Sequence, residues 1–320
     1  MEPRAADILM RSVMFVPGHR PRMIERALGL GGSSAETPDV AILDLEDGVP
    51  PAEKANARSL LAAALPRQES GRGPAPYVRI NAIRSGELEA DLAAVVARGL
   101  QGIVAPKVDV PAEIELLARA LEAREAAARL DRGSIRLMPS IESAKGLLNA
   151  PAIAACSDRI VALLFGAEDF ALDLGLPARR EGEAADLAHA RASVVVAAVA
   201  ARKAAIDGIW PDIVDADGLR RNALRGRRLG FAGKSCIHPG QIETINEVFS
   251  PSEDEVAYAA RVLEAYAAAR ARGDGALALD GKLLDPPIIE RARRTLDARD
   301  AIARGAAARG AAARGAATTT

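Results

Sequence analysis

Two acidic residues stand at the ends of neighbouring apolar runs near the middle of the sequence. Glu142 follows the run at residues 137–141, and Asp169 stands two positions after the run at residues 160–167. An amphipathic segment at 144–155 separates the runs, so the pattern predicts a strand, a helix and a strand. Carboxylates at the carboxyl ends of neighbouring parallel strands can share one hard cation such as Mg²⁺, with other coordination positions left to water and substrate. The alternative is that both acids are solvated loop residues.

A second pair of acids, Glu46 and Asp47, follows the apolar run at residues 40–45. We expect this pair at the same end of the sheet as Glu142 and Asp169. Carboxylates gathered in one place repel one another unless a cation neutralises them, and oxygen ligands without a histidine cluster favour Mg²⁺ over Zn²⁺. Alternatively, Glu46 or Asp47 caps the helix that follows.

Two cationic residues also end predicted strands. Arg79 lies within Val-Arg-Ile-Asn at 78–81, and Lys107 follows the run at 102–105. A guanidinium binds a carboxylate through paired hydrogen bonds, so Arg79 is a candidate for holding the carboxylate of a substrate. A buried ion pair with one of the acids is the alternative. Lys107 is interpreted as neutralising the acids, although a lysine in this position could also form a Schiff base.

Three further polar residues have more than one interpretation. His238 ends the last predicted strand and is either an acid, a base or hydrogen-bond donor, or a structural loop residue. Arg20 lies beside His19 and Arg22 after the first strand, where these side chains either bind a phosphate or are solvated. Asp285 precedes two prolines, a pattern typical of a helix N-cap.

One glycine-containing segment, residues 230–235, is similar to the end of a nucleotide-binding loop because it finishes in Gly-Lys-Ser. The position of the first glycine in such a loop is occupied by Arg228. The residues that follow, Cys-Ile-His-Pro, are not typical of a helix start. We therefore reject a phosphate-binding loop here.

The rest of the sequence alternates apolar runs with helical segments, among them a long helix over 183–205 and a strand over 206–210. The alternation predicts a parallel sheet, and eight strand–helix units predict a closed (β/α)8 TIM barrel over residues 1–250. An open, doubly wound sheet is the alternative. Residues 251–300 are predicted to form a C-terminal helical appendage. The Ala-Arg-Gly-rich tail at 301–320 is predicted to be a weak helix or to lack fixed structure.

The composition excludes several classes of protein. The 320 residues carry a formal net charge of −1 and are only 3% aromatic, so no basic surface or stacking platform for nucleic acid is expected. The charged N-terminus does not resemble a signal peptide, and no apolar run suits a membrane span. Cys156 and Cys236 stand far apart, which argues against a disulfide framework. We therefore expect a cytoplasmic protein.

With these residues identified, the chain resembles the citrate lyase β-subunit-like family within the HpcH/HpaI aldolase superfamily. The resemblance covers residues 11–294, nearly the whole chain without the tail. It rests on seven segments in the same order: RSVMFVPG at 11–18, DLEDGV at 44–49, VRIN at 78–81, PSIE at 139–142, GAED at 166–169, GKSCIHP at 233–239 and LDPP at 284–287.

The resemblance implies a function as well as a fold. It implies a (β/α)8 barrel that assembles into trimers or hexamers and holds Mg²⁺ through Glu142 and Asp169. It implies that Arg79 binds the small substrate and that Asp285 reaches a neighbouring subunit's site as acid or base. The implied activity is carbon–carbon bond cleavage in the CoA ester of a hydroxy acid, of the malyl-CoA or citryl-CoA type, through a thioester enolate. The expected small-molecule partners are an acyl-CoA and an oxo acid.

The same resemblance places Phe15, Arg20 and His238 where the family contacts CoA or lines its site. It leaves three rival functions. The chain could be a malyl-CoA thioesterase, or a citrate lyase β subunit that works only with an α subunit and a carrier-bound substrate. An aldolase that acts without CoA is the third, and Asp285 in its Leu-Asp-Pro-Pro segment argues against it.

Overall fold

The computed structural model describes residues 9–30, 37–68, 73–177, 185–272 and 278–317. The chain divides into two compact units. One comprises Met1–Phe249 together with Ala312–Thr320, and the other comprises Ser250–Ala311. Each unit is described by itself below.

Within the described ranges, the first unit is a closed barrel of eight parallel strands in the order of the sequence, with the last strand pairing with the first. The predicted (β/α)8 fold is therefore confirmed. The carboxyl ends of the eight strands lie at the same end of the barrel, which we call the mouth. The strands are β1 Ser12–Pro17, β2 Val40–Asp44, β3 Ala75–Arg79, β4 Gly102–Ala105, β5 Arg136–Ile141, β6 Ala162–Phe165, β7 Ala204–Asp207 and β8 Gly233–Cys236.

Helices connect successive strands and cover the outside of the barrel. In this unit they are α1 Pro21–Ala27, α2 Lys54–Ala64, α3 Leu88–Val95, α4 Pro111–Ala127, α5 Ala144–Ala155, α6 Ala167–Asp173, α7 Ala188–Ala200, α8 Ala216–Leu229 and α9 Ile242–Val248. Several helix starts are specified by the sequence. Ser143 caps α5 by accepting a hydrogen bond from the Gly146 backbone N–H at 2.9 Å, and Asp215 caps α8 in the same way through Gly218 at 2.8 Å.

Two apolar clusters hold the barrel together. Alternate strand residues such as Ile42, Tyr77 and Met138 fill the interior, while their neighbours such as Leu43 and Val78 pack against the helices. Because both faces of each strand are covered, the strands read as nearly continuous apolar runs. This explains why the strands could be located from the sequence.

Some predicted elements have wrong boundaries. The helix predicted over 183–205 ends at Ala200, since Arg202 adopts a left-handed backbone conformation (φ 60°) and Ala204 begins β7. The sequence around that turn, Ala-Ala-Arg-Lys-Ala-Ala at 200–205, contains no glycine or proline to mark it. The predicted helix start at 183 lies outside the described residues. The strand predicted over 160–167 ends at Phe165. Helix α6, which was not predicted, begins two residues later at Ala167.

The second unit contains the helix α10 Glu253–Arg272, the part of α11 Pro286–Ala317 up to Ala311, and a short antiparallel pair, β9 Ala278–Leu279 and β10 Lys282–Leu283. Its core includes Val262, Leu284 and Ile289. The helix predicted over 288–296 is much longer in the structure, and α11 runs through the alanine-rich tail because alanine and arginine are strong helix formers. No helix among the described residues is long and apolar enough to cross a membrane.

Candidate active site at the barrel mouth

Arg79 and Asp44 face each other at the ends of β3 and β2. Arg79 Nε lies 2.7 Å from Asp44 Oδ1, and its Nη2 lies 2.6 Å from Asp44 Oδ2. Arg79 Nη1 also lies 3.0 Å from Glu46 Oε2, close enough for an ion pair but without the alignment of a hydrogen bond. The predicted ion pair of Arg79 is therefore present, and Asp44 is a partner that the sequence reasoning missed. Its signal was the period-two spacing after Val40 and Ile42, which turns Asp44 inward.

Phe15 lies beneath the same guanidinium. The Arg79 Cζ atom stands 4.8 Å from the centroid of the Phe15 ring, a distance at which a cation is attracted to an aromatic face. Burial by itself lowers the pKa of Arg79, but Asp44, Glu46 and Glu142 outweigh it and raise that pKa. Arg79 is thus a fixed, permanently charged group at the mouth.

Lys107, after β4, lies between the two acids that follow β2. Its Nζ is 2.6 Å from Glu46 Oε1 and 2.8 Å from Asp47 Oδ2. Burial works to lower the pKa of Lys107, but both acids outweigh it and raise the pKa. Burial likewise works to raise the pKa of Asp47, and Lys107 reverses this and lowers it. A lysine held in the charged form supports the neutralising interpretation over Schiff-base chemistry, which needs a neutral amine.

Glu142 follows β5 and points into the mouth. The residue is only 6% exposed, and among the described residues its Oε2 has no hydrogen-bond partner. Burial, and then the negative charges of Asp169 and Glu46, raise the pKa of Glu142 to about 7. Any side chain at Gly166, which precedes α6, would collide with the Glu142 carboxylate arm. A buried carboxylate oxygen without a partner is costly and fits the approach of a cation.

Asp169 lies in the first turn of α6, one helical turn beyond the strand end at which it was expected. Its charge acts on Glu142, so the two carboxylates share the mouth. Among the described residues no group of three His, Cys, Asp or Glu side chains converges as a complete metal cage. Two carboxylates with open positions beside them nevertheless fit Mg²⁺, which keeps several water or substrate oxygens in its octahedral shell.

A lysine that the sequence reasoning did not single out supports the loop that carries Glu46. Lys54 on α2 donates to the backbone carbonyls of Leu45 at 2.8 Å and Glu46 at 3.2 Å, and to the Asn81 side chain. Because Asn81 follows β3, this one ammonium links the ends of β2 and β3. The link stabilises the positions from which Glu46 and Arg79 reach the mouth.

A cavity of about 250 Å³ opens beside Glu142, between the loops that follow β3, β4 and β5. Ile83, Arg84, Lys107 and Ser143 are among its lining residues. Arg84 is paired with Glu113 at 2.5 Å and with Asp109 at 3.2 Å. The cavity is large enough for a small molecule, and the Glu142 carboxylate forms part of its wall.

The other predicted site residues have simpler surroundings. His238 is exposed after β8, and its Nδ1 accepts a hydrogen bond from the Gly240 backbone N–H at 3.1 Å. Arg20 is exposed between β1 and α1. Asp285 belongs to the second unit, where its Oδ1 accepts a hydrogen bond from the Ile288 backbone N–H at 3.1 Å. The N-cap predicted for Asp285 is therefore present, and its catalytic role stays a prediction.

The fold and the site together define the class of the protein. It is a (β/α)8 barrel protein in which acids and an arginine form a candidate metal site at the carboxyl ends of the strands. The family model described as HpcH/HpaI aldolase/citrate lyase matches residues 11–239. The chain belongs to the HpcH/HpaI aldolase/citrate lyase family.

Similar proteins carry two kinds of name. The citrate lyase subunit beta of Leuconostoc mesenteroides subsp. cremoris is 35% identical over 92% of this chain and 94% of its own length. A (3S)-malyl-CoA thioesterase of Cereibacter sphaeroides is 34% identical over 92% of this chain and 95% of its own. A crystal structure of the protein CitE of Mycobacterium tuberculosis with magnesium, acetoacetate and coenzyme A has a TM-score of 0.72 and 31% identity, and covers 91% of this chain and 98% of that one.

Proposed function

We propose that the protein is a Mg²⁺-dependent carbon–carbon lyase that acts on the CoA ester of a hydroxy acid, of the malyl-CoA or citryl-CoA type. The observation that carries this proposal is the buried Glu142 oxygen without a hydrogen-bond partner, in a mouth that it shares with Asp169. The family and the magnesium-bound and coenzyme A-bound relative support the choice of metal and of ester.

Glu142 and Asp169 would hold the metal. Mg²⁺ in this position would supply a Lewis acid for the substrate oxygen that is a hydroxyl in the CoA ester and becomes the carbonyl of the oxo acid. Glu142 must lose its proton to bind the ion, which its pKa of about 7 allows in neutral solution. The cavity beside Glu142 would receive the body of the oxo acid.

Arg79 would stabilise the negative charge that develops on the thioester oxygen as the carbon–carbon bond breaks. Its guanidinium is already oriented by Asp44 and Glu46, so little reorganisation is needed when the substrate reacts. Phe15 packs against the guanidinium, and with Arg20 and His238 it would contact the CoA moiety.

Asp285 would move the proton to or from the acyl carbon. We assign it to the site of a neighbouring subunit in a homotrimer or homohexamer. Its position before Pro286 at the start of α11 places the carboxylate at a rigid helix end, which is suited to presentation in another subunit's mouth.

A thioesterase is the second candidate, because a similar protein carries that name at the same level of identity as the citrate lyase subunits. The experiment supplies purified protein with Mg²⁺, glyoxylate and acetyl-CoA or propionyl-CoA, and follows acyl-CoA and free thiol separately. We expect the CoA ester of a hydroxy acid to form without thiol release. Thiol release in step with condensation would support the thioesterase. A folded, Mg²⁺-binding protein that is inactive with both acyl-CoAs would contradict a stand-alone lyase of the malyl-CoA type and favour a citrate lyase β subunit that needs its partners or another acyl group.

A further inference from the structure

A buried charged cluster lies outside the candidate active site, between β7, β8, α7 and α8. Its centre is Lys234, which is 1% exposed. The Lys234 Nζ donates to Asp207 Oδ2 at 3.0 Å, to Asn222 Oδ1 at 2.7 Å and to the Gly208 backbone carbonyl at 2.5 Å. All three ammonium protons therefore have an acceptor.

Lys234 adds a second positive charge to a cluster whose one carboxylate already has a cationic partner. Asp207 is already paired with Arg191 through two hydrogen bonds, at 3.0 Å and 2.6 Å. A second buried cation is unfavourable for stability unless its hydrogen bonds offset the loss of hydration. One of those bonds goes to the main chain just after β7, so the lysine constrains the backbone at the barrel mouth.

Gly208, which receives that bond, lies against the start of α6. A Cβ atom at Gly208 would stand 2.8 Å from the Ala167 Cβ and 3.0 Å from the Phe165 carbonyl oxygen. Ala167 is the first residue of α6, and Asp169 follows it two positions later. A chain of contacts thus runs from Lys234 through Gly208 to the helical turn that carries Asp169.

We propose that Lys234 is a positioning residue that, through Gly208 and Ala167, sets the place of Asp169 relative to Glu142 at the metal site. This inference rests on the proposed function, because it assumes that Asp169 and Glu142 bind Mg²⁺. Lys234 touches neither the metal nor the substrate, and its effect on the site passes through the main chain.

The test compares Lys234→Met with the wild-type protein in two measurements, the Mg²⁺ dissociation constant by titration calorimetry and the stability by urea unfolding. Methionine keeps the length of the side chain and leaves the Asp207–Arg191 pair neutral. We expect the dissociation constant to rise by about ten-fold or more, as for other residues that orient metal ligands.

The matched control is Arg159→Met at the other end of the barrel. Arg159 is buried and makes two 2.7 Å hydrogen bonds to Glu125, before β6 begins. This variant also loses a buried cation, and it leaves Glu125 with only the backbone N–H groups of Gly133 and Ile135 as partners among the residues described, so it is expected to be at least as destabilised as Lys234→Met. Its Mg²⁺ affinity is expected to stay within about two-fold of wild type, because the side-chain partners of Arg159 within the described ranges, Glu125 and the Ile135 carbonyl, do not belong to α6.

A second variant, Gly208→Ala, tests the same contact from its other side and keeps Lys234. The added methyl group must displace Ala167, so this variant is also expected to bind Mg²⁺ more weakly. Wild-type affinity in both Gly208→Ala and Lys234→Met would overturn the positioning role alone. The metal-ligand variant Glu142→Gln is expected to bind no Mg²⁺. If the wild-type protein also bound none, the proposed function itself would be overturned.

Discussion

Asp44 holds Arg79 by both oxygens, from one strand to the next, at 2.7 Å and 2.6 Å. The same Asp44 oxygens accept hydrogen bonds from the backbone N–H groups of Glu46 at 2.9 Å and Gly48 at 2.8 Å. One carboxylate thus fixes both the proposed oxyanion-stabilising group and the loop that carries Glu46. Two hydrogen-bonded neighbours on adjacent strands therefore set the geometry of this half of the mouth.

Asp44→Asn is expected to lower kcat by about ten- to a hundred-fold, because a guanidinium displaced by an ångström no longer meets the developing charge. Mg²⁺ affinity is expected to change little, since Asp44 is not a proposed ligand. Steady-state kinetics and titration calorimetry check the two expectations. Glu125→Gln, which disrupts the equally buried Arg159 pair, is the control and should keep its kcat. A wild-type kcat in Asp44→Asn would show that catalysis does not depend on the orientation of Arg79 by Asp44.

Glu142 should make the metal-free protein less stable as the pH rises. Its folded-state pKa of about 7 lies above the ordinary value of 4.5, so its proton stabilises the fold, and this stabilisation is complete below pH 4.5. That stability is lost as the pH rises through 7, by about 3 kcal/mol in all. The Glu142→Gln variant has no ionisable group at this position, so its stability does not fall for this reason.

Urea unfolding of the metal-free proteins at pH 5 and pH 8 checks this expectation. Glu142→Gln should be more stable than wild type at pH 8 and close to it at pH 5. Added Mg²⁺ should stabilise the wild type alone. A constant difference between the two proteins across this pH range would contradict the shifted pKa of Glu142.

Lys107 has a left-handed backbone (φ 53°), which is unfavourable for a residue with a side chain. Lys107→Gly and Lys107→Ala both remove the ammonium, and only glycine relieves the backbone strain. Lys107→Gly is therefore expected to be more stable than Lys107→Ala by about 1 kcal/mol. Unfolding in urea at one pH measures the difference, and an alanine variant as stable as the glycine variant would show that the strain is absent.

Asp285 should act in the site of a neighbouring subunit. Asp285→Asn and Glu142→Gln are each expected to be nearly inactive. In an equal mixture co-refolded at random, half of the sites have an intact Glu142 and half of those have a neighbour with an intact Asp285. About a quarter of wild-type activity is therefore expected for closed symmetric assemblies. No recovery on mixing would place Asp285 in its own subunit's site, and an active Asp285→Asn variant would place it outside catalysis.

The sequence located the barrel because its strands are covered on both faces, and it located Glu142 and Arg79 because strand ends meet at one mouth. Asp44 was missed because the period-two spacing that turns it inward does not show which residue of another strand it pairs with. Asp169 was expected at a strand end and lies on α6, since nothing in Gly166 or Ala167 distinguishes a strand end from a helix start. Lys54 and Lys234 depend on contacts between distant segments that no local pattern contains.

The position of Tyr77 bears on the order in which reactants bind and products leave. Its ring is fully buried inside the barrel, on the same strand as Arg79 and two residues before it, and it occupies the space that a side chain at position 102 would need. Tyr77 thus fills the barrel interior below Arg79, on the side away from the mouth. In the proposed reaction, the oxo acid that binds beside Glu142 would therefore enter before the bulky thioester and leave after it, and the kinetics would be sequential and ordered.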